Sequence, residues 1–226
     1  DLGHTPFGHA GEDALNECME THGGFDHNLQ TLRIVMFLEN KYLKFKGLNL
    51  TIETLDGLLK HNGPINDKIK INKLIGLKNL KKMHFKKYPS LEAQIASISD
   101  DIAYNNHDIQ DGLNAKLINI NELLDISFFK DIFVKYKKKI SPYNQEILTY
   151  QIIRDSINLM VKDIINTTLI NIKESNIKSL KDVYEADKLL VTFSDKFSLI
   201  IDQIRFFLRV NIYNNKSVLK KNEQGK

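Results

Sequence analysis

Asp1-Leu2-Gly3-His4-Thr5-Pro6-Phe7-Gly8-His9-Ala10-Gly11-Glu12 opens the chain with two histidines, two carboxylates, three glycines and a proline. Pro6 and Gly8 forbid a regular helix through the middle, so His4 and His9 sit on a constrained turn. The glycines let the backbone approach a partner closely, and an anion such as phosphate is one candidate. A glycine-rich loop with incidental histidines is the plainer alternative. If a helix starts near His9, Glu12 lies one turn further along it. A carboxylate beside an imidazole fixes its tautomer, as a general acid requires.

Working outward, the remainder reads as helix. Glu12 to Glu20 predicts a short helix, broken at His22-Gly23-Gly24, and Asp26 is placed to cap the next. From His27 to about Tyr42, Leu29, Leu32, Val35, Met36 and Leu38 recur at helical spacing, and Gly47 ends the element. Thr51 opens another helix, stopped by Asn62-Gly63-Pro64. The lysine-rich stretch Lys81–Lys87 reads as a solvated loop. Further helices are expected from Ser90 to about Gly112 and from Leu117 to Ile126. Lys135–Lys139 with Ser141-Pro142 marks a linker. Two long amphipathic helices follow. Tyr143–Lys173 should bury Ile147, Ile153, Ile157, Met160, Val161, Ile164 and Ile165. Ser194–Tyr213 should bury Phe197, Ile200, Ile201, Ile204, Phe207 and Leu208. From Asn214 onward a frayed polar tail is expected. No alternating strand pattern competes, so the fold class is all-α.

Bulk properties narrow the function. A chain of 226 residues with 42% hydrophobic content can bury a core as one or two domains. No run approaches a transmembrane span and no signal segment opens the chain, so no membrane association is expected. The single cysteine, Cys18, excludes an intramolecular disulfide and fits a reducing cytoplasm. A net charge of +4 suits a polyanionic substrate and is too weak to demand nucleic acid.

A second polar cluster lies in Ser99-Asp100-Asp101-Ile102-Ala103-Tyr104-Asn105-Asn106-His107-Asp108. Residues four and eight apart on a helix form one drifting stripe, so Asp100, Tyr104 and Asp108 share a face, with Ile95, Ile98, Ile102 and Ala103 supplying the packing. The stripe suits either a metal and a sugar hydroxyl or a solvated acidic face.

The opening stretch resembles the core motif of the HD-domain deoxynucleoside triphosphate triphosphohydrolases, the dGTPase-like family, whose pattern reads H-D-L-G-H-x-P-F-G-H-x-G-E. Phe25-Asp26-His27-Asn28-x-Gln30-x-x-Arg33 and Leu58-Leu59-Lys60-His61-Asn62-Gly63-Pro64 fit its bacterial branch. Asp1 matches the Asp of the His-Asp pair, and that pair's His and another ligating His belong upstream, so the sequence looks like the C-terminal part of such an enzyme. The resemblance implies an HD-domain helical bundle over 1–126, incomplete at its N-terminus, a linker over 127–142 and a C-terminal helical region over 143–226.

The same resemblance implies roles. Asp1 and Asp100 match metal ligands, for Mg²⁺, Mn²⁺ or a similar divalent ion. His9 and Glu12 match a catalytic pair. His4 and His27 match histidines at the phosphate end, His27 among the catalytic residues and His4 among those binding substrate. Tyr104 and Asp108 match residues that contact the deoxyribose. The implied reaction converts a dNTP and water to a deoxynucleoside and inorganic triphosphate, in a cytoplasmic homo-oligomer open to a nucleotide effector or single-stranded nucleic acid. With two ligands upstream of Asp1, the 226 residues alone are expected to be inactive. A non-catalytic remnant that binds nucleotide or nucleic acid is the alternative. Arg154, Arg205 and Arg209 match basic positions of the family's C-terminal region, where contact with phosphates or a neighbouring subunit and ordinary salt bridges are equal readings. His22, His84 and His107 fit no motif.

Overall fold

The computed structural model describes residues 2–65, 85–137 and 145–224, and every regular element among them is helical. Asp1, most of the lysine-rich stretch, His84 and Ser141-Pro142 lie outside the described residues.

Helix α1 runs Gly8–Cys18 and starts four residues before the expected Glu12. Phe7 and Gly8 take left-handed conformations, φ 67° and 58°, which turns the chain sharply enough for a helix to begin there. Helix α2, His27–Arg33, is capped as expected: Asp26 accepts a hydrogen bond from the Leu29 amide at 3.0 Å. It ends earlier than Tyr42. A π turn over Ile34–Leu38 brings the Glu39 amide back to the Ile34 carbonyl at 3.0 Å, and Glu39 leaves in an extended conformation. Helix α3, Ile52–Leu59, starts on the Thr51 cap.

Helix α4 spans Leu91–Asn114. The helix expected over 117–126 shrinks to α5, Ile120–Leu123, held by an Asn119–Glu122 capping box. Helix α6, Ser127–Val134, occupies the first part of the stretch read as a linker. Helix α7 is the long Gln145–Glu174, and α8, Leu180–Glu185, starts on a Ser179–Asp182 capping box. Helix α9, Asp195–Leu208, is capped by Ser194 and continues as a π turn over Arg209–Tyr213. The expected frayed tail instead contains α10, Lys216–Gln224, where the Asn215 side chain accepts the Ser217 amide at 3.0 Å.

The chain forms two compact units. One comprises residues up to Ser97, Ser175–Leu190 and residues from Lys221; the other comprises Ile98–Glu174 and Val191–Lys220. In the first, Leu29, Leu32 and Leu59 form a buried cluster with Met36, Ile52, Leu55 and Phe85 packed on it. Burial of each such leucine contributes about 1.5–3 kcal/mol. Gln94 ties distant segments of this unit, donating to the Pro89 carbonyl and accepting the Leu190 amide, both at 2.9 Å.

In the second unit Ile102, Ile109, Phe129, Ile152, Met160 and Ile204 are buried. Asp163 on α7 accepts both the Ser194 amide and hydroxyl, at 2.8 and 2.7 Å, which anchors the start of α9. Ile147, Val161 and Ile165, expected inside, are 64%, 39% and 52% exposed, and in the first unit Ile95 on α4, expected to pack, is 48% exposed. Each lies on a flank of its apolar stripe, beyond the arc that the neighbouring helices cover.

Candidate active site

The opening segment is pinned to the start of α2. The Gly3 amide donates to Thr31 Oγ1 at 3.0 Å, and that hydroxyl donates to the His27 carbonyl at 2.9 Å. A Cβ on Gly3 would strike the His27 carbonyl and the Thr31 amide nitrogen, so the close approach that this glycine permits is to the chain's own backbone. The docking brings the His4 ring within 4.9 Å of the His27 ring, centroid to centroid. Where α1 departs, His9 and Glu12 join them, with His9 5.6 Å from His4 and 6.2 Å from His27 between ring centroids.

Glu12 holds this group together. His27 donates its backbone N–H to Glu12 Oε1 at 2.9 Å, and its Nδ1 lies 2.9 Å from both carboxylate oxygens. A carboxylate can only accept, so the Nδ1 carries the proton in this contact and Nε2 is left for other chemistry. Burial alone would raise the Glu12 carboxyl. The two His27 hydrogen bonds and its nearby charge outweigh that, and the group sits below its ordinary range. The expected Glu12–His9 pair is the weaker one, at 3.5 Å, and the His9 side chain is 83% exposed against 10% for His27.

One donor atom each from His4, Glu12 and His27 lies within 4.8 Å of the others, a group able to hold a metal ion. Two imidazole nitrogens and a carboxylate oxygen suit a borderline ion such as Zn²⁺ or Mn²⁺ better than an all-oxygen ion such as Mg²⁺.

The second unit carries the other polar cluster. On α4, Asp100 and Asp108 are half-buried and Tyr104 is 56% exposed. The Tyr213 hydroxyl, from the π turn after α9, donates a short hydrogen bond to the Asp108 carboxylate. Burial, and then Asp108 itself, hold the Tyr213 phenol well above its ordinary range, so it stays a neutral donor. Asp101 is engaged elsewhere, by Arg205 at 3.1 Å.

No family model matches the chain. Whole proteins do. A Pelagibacter ubique protein named deoxyguanosinetriphosphate triphosphohydrolase-like protein is 66% identical over 227 residues, which cover all of this chain and 61% of that protein. The Bartonella henselae protein of the same name is 42% identical over all of this chain, and the Rickettsia felis one 37% identical over 96% of it. Along its length the chain is similar to these deoxyguanosinetriphosphate triphosphohydrolase-like proteins. It spans 61%, 58% and 57% of the length of these three relatives.

The structure brings His4, His9, Glu12 and His27 together in the first unit, and Asp108 with Tyr213 in the second. Asp100 and Tyr104 stand on the same helix as Asp108, and Asp1 lies outside the described residues. Two contacts escaped the sequence reading. Glu12 was paired with His9, three residues away, while its closer partner His27 is 15 residues on. Tyr213 was seen only as the end of an amphipathic helix, because its partner Asp108 is 105 residues distant.

Proposed function

We propose that this chain supplies catalytic and substrate-binding residues of a metal-dependent deoxynucleoside triphosphate triphosphohydrolase. The observation that carries the reading is the His4–Glu12–His27 group, in which a carboxylate fixes one imidazole beside another and a third histidine stands at the rim. In the reaction a water oxygen bonds to the α-phosphorus, the bond from phosphorus to O5′ breaks, and O5′ takes a proton as the deoxynucleoside leaves. Glu12 orients His27, so that Nε2 can hold or pass a proton at the phosphate. His4 binds a phosphate oxygen. His9, the most exposed of the three, delivers the proton to O5′. Asp108 accepts the 3′-hydroxyl of the sugar, with Tyr104 packed against the ring.

Asp1 and Asp100 are the proposed ligands of a divalent ion, Mg²⁺, Mn²⁺ or a similar one, and His4, Glu12 and His27 are a second donor set able to hold one. Such an ion neutralises phosphate charge and lowers the pKa of bound water. The working protein is proposed to be a cytoplasmic homo-oligomer.

The test is to assay these 226 residues, and a version extended to the length of the relatives, with each dNTP and Mg²⁺, Mn²⁺ or Co²⁺. Inorganic triphosphate released by the extended protein, and none by the 226 residues alone, is the expected result. Orthophosphate or pyrophosphate as the first product would overturn the reaction. Tight dNTP binding by the extended protein without any turnover would favour the non-catalytic alternative.

A further inference from the structure

Three imidazoles surround the Glu12 carboxylate, and they can also act together. His4, Glu12 and His27 each offer a donor atom within 4.8 Å of the others. An ion about 2.0–2.2 Å from each donor needs only small side-chain rotations to be held by all three. The group is braced as metal ligands usually are. The His4 Nδ1 lies 3.2 Å from the Thr5 carbonyl, which can only accept, so the proton is on Nδ1 and Nε2 keeps the lone pair that a metal needs. The His27 backbone N–H holds Glu12 Oε1 at 2.9 Å. The side chains of His27 and Glu12 are 10% and 16% exposed, so little water competes for these donors.

His9 separates this group from a three-ligand site. Its Nδ1 is 3.5 Å from Glu12 Oε2, and its ring centre is 5.6 Å from that of His4 and 6.2 Å from that of His27. The His9 side chain is 83% exposed, so little packing opposes a rotation that carries the ring inward. Three protein ligands leave zinc an open position for water or substrate, whereas four close it.

We propose that His4, His9, Glu12 and His27 form a closed zinc site, and that zinc bound there shuts the group to phosphate. Nitrogen donors favour Zn²⁺ over Mg²⁺, so this ion is distinct from an oxygen-held ion at Asp1 and Asp100. An ion on His27 Nε2 takes the lone pair that would receive a proton. One on Nδ1 displaces the proton donated to Glu12, and the imidazole loses its orientation. His9, drawn in as the fourth ligand, no longer reaches a leaving oxygen. The inhibition rests on the proposed reaction; the binding does not.

Cobalt(II), the spectroscopic stand-in for zinc, tests the site in these 226 residues, with circular dichroism to check that each variant folds. One equivalent should give the intense visible bands of a four-coordinate ion, and zinc should bleach them. Loss of an outer partner alone typically costs about 10–100-fold in metal affinity, so His27→Ala should cost at least that. His9→Ala should weaken binding and dim the bands as water takes the fourth position. Asp100→Asn and Cys18→Ser, outside the group, should leave the bands unchanged. In the extended protein, one equivalent of zinc should stop triphosphate release and a chelator should restore it. Weak six-coordinate bands, binding indifferent to His27→Ala, or bands indifferent to His9→Ala would overturn the closed site. Full turnover with zinc bound would overturn the inhibition. The cobalt spectrum needs no turnover, so it decides the site even where the triphosphate assay goes against the reaction.

Discussion

His27 places both its backbone N–H and its Nδ1 on the carboxylate of Glu12, each at 2.9 Å. A single acidic side chain therefore fixes where α2 begins and how its first imidazole is turned. The histidine is 10% exposed in its side chain and the glutamate 16%, so water competes weakly for these bonds.

Glu12→Gln keeps the shape and removes the charge. It should cost about 1.5–3 kcal/mol in urea unfolding near neutral pH, the range for a hydrogen bond to a charged group. The pH dependence gives the sign. The folded-state carboxyl lies below its unfolded value, so the stabilisation is present above the ordinary carboxylate pKa and is lost as pH falls through the folded value. The gap between native protein and variant should therefore close on acidification. A gap that widens there would contradict the assignment.

Tyr213→Phe deletes the hydroxyl on Asp108 and leaves the ring. The native phenol is raised above its unfolded value, so its contribution is present below about pH 10 and is lost as pH rises towards the folded value. Alkaline titration of tyrosine absorbance should lose one late-titrating group in the variant, while Tyr136 and Tyr184, also raised, keep theirs. In the extended protein, Asp108→Asn should raise KM for a dNTP more than it lowers kcat.

Lys60 and Asp56 form an ion pair at 2.8 Å inside the first unit, with side chains 0% and 4% exposed, and the Lys60 Nζ lies 5.9 Å from the centre of the Tyr184 ring. Lys60→Ala removes the cation beside a buried carboxylate and should cost about 3–5 kcal/mol. Lys60→Met combined with Asp56→Leu should recover most of that loss, as melting curves would show. A double variant worse than the single one would mean that the pair does more than neutralise itself.

Gly3→Ala and Gly8→Ala separate packing from conformation. At Gly3 the new methyl meets backbone on two sides, so the opening segment must lift from α2 and carry His4 away from His27. At Gly8 the space is open and only the positive φ resists, costing about 1–2 kcal/mol. The His27 ring resonances should shift in the Gly3 variant and hold still in the Gly8 variant.

The helical class and about half of the starts were legible because their signals are local. Asp26, Thr51 and Ser194 are short polar caps before apolar periodicity, and the structure uses the side chain of each as a cap. The π turns over Ile34–Leu38 and Arg209–Tyr213 left no such mark, since one added residue per turn slips the phase without changing composition. The histidine group was legible as a set of residues, through their order along the motif. Its wiring was not: periodicity pairs Glu12 with His9 on the same helix, and only the fold beyond Gly23-Gly24 returns His27 to it. Ile147, Val161 and Ile165 show the other limit. An apolar stripe states that burial is favourable and leaves open how wide an arc a neighbour will cover.

The distance along the chain between partners has a kinetic consequence. Glu12 and His27 close a loop of only 15 residues, whereas Asp108 and Tyr213 close one of 105. Loop closure slows and costs more entropy as the span grows, so short-range contacts can form ahead of the long ones. During refolding the imidazole signals of His4 and His27 should reach their native positions while tyrosine fluorescence is still changing. The group proposed for phosphate chemistry is thus an early product of the chain's collapse, and the group proposed for the sugar is a late one.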